Sequence, residues 1–198
     1  MKLNWAERWV VNNPLRVIEQ GFELGWMRGR MALKSGSKVL EIGSGRGAGA
    51  AMILREFHPA VLHASDLDFD MIRRAKGYLS PEELDRIPLL AADAMDLPYR
   101  NEAFDAVFGF GVLHHIPNWR AALGEIARLL KPRGVYFMEE LYPSLYQNFI
   151  TKHILLHPTE NRFRAEELRD ALVKEGFSIR EALEFKLFGI LAVLVRNG

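Results

Sequence analysis

From residue 37 onward the apolar and polar positions of this chain fall into two alternating rhythms. Short apolar runs at Lys38–Ile42, Val61–Ser65, Ile87–Ala92, Ala106–Phe110 and Val135–Glu139 predict buried strands. Between them, Gly47–Phe57, Asp68–Gly77, Asn118–Leu130 and Ala165–Glu175 carry apolar residues at helical spacing. Residues 1–35 read as helical, with Pro14 opening a helix whose Leu15, Ile18, Phe22 and Trp26 share one face. Ser80-Pro-Glu-Glu83 has the form of a capping box and predicts a brief helix before the third strand. Asn118 is placed to cap the next long helix, and Lys131-Pro-Arg-Gly134 to end it. Two last β-like runs, Phe177–Leu183 and Phe185–Val195, are joined tightly enough for an antiparallel hairpin. Strands and helices alternating at this spacing predict an α/β fold, a doubly wound and mainly parallel sheet.

Composition narrows the class without naming a function. The 198 residues suit one domain, and 49% hydrophobic with 26% charged residues is an ordinary globular balance. A net charge of +1 gives no electrostatic case for a nucleic-acid partner. The absence of cysteine excludes disulfides, cysteine-ligated metal and a cysteine nucleophile. The first residues lack a secretion pattern and no apolar run is long enough to span a bilayer, so a cytoplasmic enzyme is expected.

The chemistry concentrates at residues 38–49, where Val39, Leu40 and Ile42 lead into glycines at 43, 45, 47 and 49. A strand, a glycine turn and a helix N-terminus together cradle an anionic group. Alone, Gly43-Ser-Gly45-Arg-Gly47-Ala48 also fits a dinucleotide loop. Asp66, ending the second strand, can accept ribose hydroxyls of either NAD or an adenosyl cofactor. Asp93, ending the third, can accept from an adenine amine. Glu41, two residues before the first glycine, would repel a pyrophosphate but answer an ammonium.

These motifs recur in order over roughly residues 37–140. Val39-Leu-Glu-Ile-Gly-Ser-Gly-Arg-Gly47, Asp66, Ala92-Asp93-Ala94, Asp96-Leu-Pro-Tyr99, Phe104 to Ile116 and Leu123 to Gly134 together resemble a class I S-adenosylmethionine-dependent methyltransferase. The resemblance is to the type 11 subgroup that includes ubiquinone- and menaquinone-biosynthesis enzymes. It implies a Rossmann-like, seven-stranded, mainly parallel sheet with an antiparallel last strand. Residues 1–35 would then form an N-terminal helical extension acting as a lid, and 36–198 the S-adenosylmethionine-binding domain. It also implies S-adenosyl-L-methionine as cofactor, with Glu41, Gly43, Ser44, Gly45, Asp66, Leu67, Asp93, Ala94 and Gly109 as its binding residues.

The methyl acceptor is expected to be a small apolar or aromatic molecule, bound by a monomer or homodimer with no membrane span. An acceptor-side insert at about 141–160, with Tyr142, Tyr146, His153 and His157 as polar points, would join the N-terminal aromatics Trp5, Trp9, Phe22 and Trp26 around it. The simplest reading of the same N-terminal aromatics, with Met27 and Met31, is a helix packed on the sheet's open edge. A base is needed only for a hydroxyl or acidic carbon, and His114, Glu139, Tyr142 and His115 are the candidates. Arg46 is expected to be solvated. Asp68 is expected to cap a helix, and no metal site is expected, since the glycine and twelfth-position acid of a calcium loop are missing after Asp66-x-Asp68-x-Asp70. Gly109-Phe-Gly-Val112 replaces the Asn/Asp-Pro-Pro-aromatic motif of base-amino methylation, which argues against nucleic acid. The alternatives are an NAD(P)-dependent oxidoreductase, for which the usual Tyr-x-x-x-Lys pair is missing, and a non-catalytic cofactor-binding module.

Overall fold

The computed structural model describes residues 13–146, 162–185 and 188–198. Trp5, Trp9, His153, His157 and most of the expected insert lie outside the described residues. Seven strands form one sheet: β1 (Lys38–Ile42), β2 (Val61–Asp66), β3 (Leu89–Ala91), β4 (Phe104–Phe110), β5 (Leu130–Leu141), β6 (Phe177–Phe185) and β7 (Gly189–Arg196). Their order is β3-β2-β1-β4-β5-β7-β6. Pairings from β3 through β5 are parallel, and β7 runs antiparallel to both its neighbours. The order reverses between β1 and β4, so a crevice opens there at the carboxyl ends of the strands.

The helices are α1 (Pro14–Arg30), α2 (Ala48–Phe57), α3 (Phe69–Tyr78), α4 (Pro81–Arg86), α5 (Trp119–Leu129) and α6 (Ala165–Lys174), with a 3₁₀ turn at Leu113–His115 and a four-residue helical turn at Pro143–Tyr146. Ser80 makes its capping box with Glu83, and the Asp68 side chain accepts from the Asp70 N–H. Asn118 makes no side-chain cap, contrary to expectation. One face of the sheet packs Val39, Phe108 and Phe137 against Leu24 and Met27 of α1 and Ile53 of α2. Phe108 stacks on Phe137 at 4.4 Å and Phe57 meets Phe108 edge-on at 5.0 Å. The other face packs Leu40, Ile42, Tyr136 and Leu194 against Trp119, Leu123 and Ile126 of α5 and Leu168 and Leu172 of α6. Each such side chain contributes roughly 1.5–3 kcal/mol on burial.

Two elements differ from expectation. β5 starts at Leu130 rather than Val135, because pairing with β4 passes from Phe104↔Leu130 to Ala106↔Val135 and residues 131–134 bulge out opposite Asp105. The inward face of α1 is also rotated. Leu24 and Met27 are buried, whereas Leu15, Ile18 and Phe22 are exposed at 69%, 58% and 76%. The reason is polar: Arg16 and Glu23 turn inward to reach the sheet, which swings the apolar stripe outward. Through Leu24 and Met27, α1 thus lies on the sheet's face and not at an open edge.

Candidate active site

The loop after β1 is fixed by its own backbone. Gly43 and Gly45 take left-handed φ angles of 64° and 54°. A Cβ on Gly43 would stand 2.6 Å from Val112 Cγ2, so conformation and space both demand glycine. The Ser44 N–H donates to Ser65 O at 2.9 Å, and the Gly45 N–H to Asp66 Oδ2 at 2.8 Å. Asp66 Oδ1 accepts the Asp68 N–H at 2.8 Å. Burial pushes the Asp66 carboxyl up, and these two N–H donors counter it. The acid at the end of β2 therefore holds the loop in shape and also faces the cleft.

Gly43, Gly45, Asp66, Leu67, Asp93 and Ala94 line one cleft. Phe110, Gly111, Val112, His115 and Ile116 complete its wall. Sequence reasoning missed most of that second wall, although its position just past β4, at the reversal of strand order, was the available signal. Glu41, Ser44 and Gly109 do not line the cleft. Ser44 is buried, with no hydrogen-bond partner at its Oγ among the described residues. Gly109 is buried within β4, where a Cβ would come 3.0 Å from Tyr136 Oη, so it leaves room for that ring. The Arg46 guanidinium, expected in solvent, lies over the Tyr78 ring at 5.0 Å.

Glu41 sits behind the loop, where the Ala50 N–H at the start of α2 donates to its carboxylate. Its Oε1 would be 2.1 Å from a Cβ on Gly49, which explains the glycine there. Its Oε2 is buried with no hydrogen-bond partner among the described residues. Burial, followed by the nearby Asp66 charge, raises the Glu41 carboxyl well above the usual range. An orphaned buried carboxylate oxygen costs free energy that a cationic group beside it would relieve. A left-handed glycine loop, two flanking acids and a buried acid awaiting a cation fit the zwitterionic, phosphate-free end and the adenosyl end of S-adenosylmethionine.

The candidate bases are dispersed. His114 is buried with Nδ1 2.8 Å from Glu140 Oε2, and Glu140 also accepts from the Val112 and Leu113 N–H groups at 3.0 and 2.7 Å. Tyr142 is buried and its hydroxyl donates to Glu184 at 2.6 Å. Glu139 is different. Its Oε2 accepts from Arg16 Nη2 at 2.8 Å and lies 3.4 Å from where a Cβ of Gly111, a cleft wall, would stand. The same residue walls a second, largely apolar cavity with Phe22, Trp26, Phe185 and Phe188. Arg16 also pairs with Glu19 at 2.9 Å and Glu23 at 2.8 Å. Burial raises Glu139 to about 7 against the pull of Arg16, and burial with the Glu139 charge raises Glu23 to about 7 as well. Arg16 and Glu23 were missed in the sequence. Their signal was a polar stripe at 16, 19, 20 and 23, spaced for one face of a helix.

Comparison with known proteins matches this geometry to a family. A model of the methyltransferase domain matches residues 40–138, half of the chain. The fatty-acid O-methyltransferase of Mycolicibacterium smegmatis is 33% identical over 108 residues, 54% of this chain and 38% of that protein. The phthiotriol/phenolphthiotriol dimycocerosates methyltransferase of Mycobacterium tuberculosis is 33% identical over 109 residues, 55% and 39% of the two chains. The sterol 24-C-methyltransferase of Schizosaccharomyces pombe is 34% identical over 126 residues, covering 63% and 33%. The chain thus spans well under half the length of these relatives. In fold, it is similar to a SAM-dependent methyltransferase from Aquifex aeolicus, with a TM-score of 0.76 at 16% identity over 98% of this chain and 99% of that one. It is also similar to the [4+2]-cyclase SpnF, at 0.73 and 19% over 89% and 80%. The loop, the strand order and the family match agree: this chain belongs to the methyltransferase-domain family, the class I S-adenosylmethionine-dependent methyltransferases.

Proposed function

We propose that this chain binds S-adenosylmethionine in the glycine-loop cleft and methylates a small, apolar, lipid-like acceptor seated in the cavity beside Glu139. The observation that carries the reading is the position of Glu139, on the wall of the apolar cavity and against the cleft at Gly111. The relatives are methyltransferases named for fatty acids, phthiotriols and sterols, which supports a lipid-like acceptor.

In this reading the α2 N-terminus and the loop N–H groups not already given to Ser44, Ser65 and Asp66 would receive the cofactor's carboxylate, with Glu41 behind them as the counter-charge for its ammonium. Asp66 accepts from the ribose, Asp93 and Ala94 meet the adenine edge, and Leu67 covers an apolar face. The cofactor supplies a methyl group on a cationic sulfonium, an excellent leaving group, so alignment carries much of the acceleration, about 7–11 kcal/mol when geometry is good. Glu139 takes the proton of an acceptor hydroxyl or acidic carbon, and its value of about 7 suits that exchange near neutral pH. Arg16 holds the Glu139 carboxylate in place, and α1 serves as the lid. His114 is bound into the 3₁₀ turn by Glu140 and Tyr142 is bound to Glu184, so both position the wall.

Calorimetry with S-adenosylmethionine, S-adenosylhomocysteine and NAD tests the cofactor, and transfer of labelled methyl to a panel of fatty acids and sterols tests the acceptor. Binding of NAD in place of the sulfur cofactors overturns the reading. Similarity to a [4+2]-cyclase favours a second reading, because one fold hosts several chemistries. Tight cofactor binding with no labelled product from any apolar acceptor would select it.

A further inference from the structure

We propose that a concave site at the end of the sheet opposite the cleft binds a phosphorylated anion carrying two or more negative charges. The site encloses about 410 Å³, within the range of small-molecule pockets, and lies at the amino ends of β1 and β4. Its rim carries Lys34, Lys131, Arg133 and Arg180 against a single acid, Asp105. That is an excess of three positive charges at one place in a chain whose net charge is +1.

The acid is already satisfied. Asp105 Oδ1 accepts from Lys131 Nζ at 2.7 Å and Oδ2 from the Lys38 N–H at 2.8 Å. Burial works against ionisation at Asp105, but Lys131, the Lys38 N–H and Lys34 together hold its carboxyl below the usual range. Arg133 and Arg180 are exposed and are left with no carboxylate partner among the described residues.

A solvated charged face needs no special backbone, yet both arginines sit where the backbone departs from regularity. Arg133 has φ 63°, a left-handed conformation that favours glycine, at the tip of the 131–134 excursion from β5. Arg180 lies where the β6–β7 register shifts between Ile179 and Glu181, and a bulge of this kind re-aims a side chain. Two separate irregularities, in strands far apart in sequence, bring two guanidinium forks to one cavity. Observed strain of this sort points towards a site. Guanidinium forks match phosphate oxygens in paired hydrogen bonds, and the two lysines add point charges. The apolar floor of Leu33, Val135 and Val195 accommodates whatever carries the phosphates. A soluble phosphorylated metabolite and a phospholipid headgroup share this chemistry.

The test uses the full chain and pyrophosphate, titrated by calorimetry at fixed ionic strength, with cosedimentation on phosphatidylcholine vesicles with and without phosphatidic acid. Saturable pyrophosphate binding is expected, weakened at least tenfold by Arg133→Gly and at least fivefold by Arg180→Gln. Arg133→Gly should leave the melting temperature unchanged or raise it, since glycine suits the backbone there, so lost binding cannot be blamed on misfolding. Pyrophosphate binding without retention on phosphatidic acid vesicles identifies a soluble ligand. Retention that Arg133→Gly abolishes identifies a headgroup. The proposal is overturned if neither probe binds, or if Arg74→Gln on α3, remote from the site, weakens binding as much as the two rim variants.

Discussion

Single side chains here carry two duties. Asp66 holds the loop through Gly45 and also faces the cleft, so Asp66→Ala should lower S-adenosylmethionine affinity by about 1.5–3 kcal/mol, the value of hydrogen bonds to a charged group. Calorimetry checks this, and unchanged affinity would remove Asp66 from the site. Glu139 answers to pH. Glu139 and Glu23 are raised in the folded chain from 4.5 to about 7, so between those values the folded state binds more protons than the unfolded. The stability they contribute is present in full below pH 4.5 and is lost as pH rises towards 7, at no more than about 1.4 kcal/mol per pH unit per proton. Glu139→Gln should flatten that slope in urea unfolding at pH 5, 6, 7 and 8. It should also reduce kcat about 10²- to 10⁴-fold on an acceptor that must lose a proton. A parallel slope in the variant would assign the titration elsewhere.

Among elements, the 3₁₀ turn Leu113–His115 depends on one side chain from a neighbouring strand. Glu140 is fully buried and accepts the N–H groups of Val112, Leu113 and His114 together with the His114 ring. Glu140→Ala strips the partner from several buried donors at once, so we expect a loss of about 3–5 kcal/mol in chemical denaturation, with the cleft wall loosened first. Nothing in the local sequence announced this. Strand alternation predicts that one of Glu139 and Glu140 points into the cleft and the other away, but it does not say that the second would collect the N–H groups of a neighbouring turn. The glycine loop, by contrast, was legible because its constraints are local: φ sign, cap and strand end are all written within a dozen residues. The bulge at 131–134 was hidden because register is set by the partner strand, and Lys-Pro-Arg-Gly reads equally well as a helix stop.

At the scale of the whole molecule, strand order and the crevice at its reversal followed from alternating rhythms and motif order, since parallel crossovers leave few topologies. The orientation of α1 did not follow, because helical spacing shows that a stripe exists without saying which stripe faces the sheet. Polar anchoring of Arg16 to Glu139 decided it, and left Leu15, Ile18 and Phe22 outward, with Phe22 on the same cavity as Phe185 and Phe188, exposed at 58% and 55%. Large exposed apolar groups gathered at the mouth of a cavity mark a binding surface more often than a stability element. If this surface admits the acceptor, the double variant Phe22→Ser, Phe188→Ser should unfold within about 0.5 kcal/mol of the parent, as exposed positions do. It should keep the parent's affinity for S-adenosylmethionine, since neither ring lines the cleft. The KM for an apolar acceptor should rise, and rise more for longer alkyl chains, because each buried methylene is worth about 0.8 kcal/mol. Steady-state kinetics over a chain-length series separates the outcomes. A KM that does not change with chain length places acceptor entry elsewhere and leaves the cofactor site untouched.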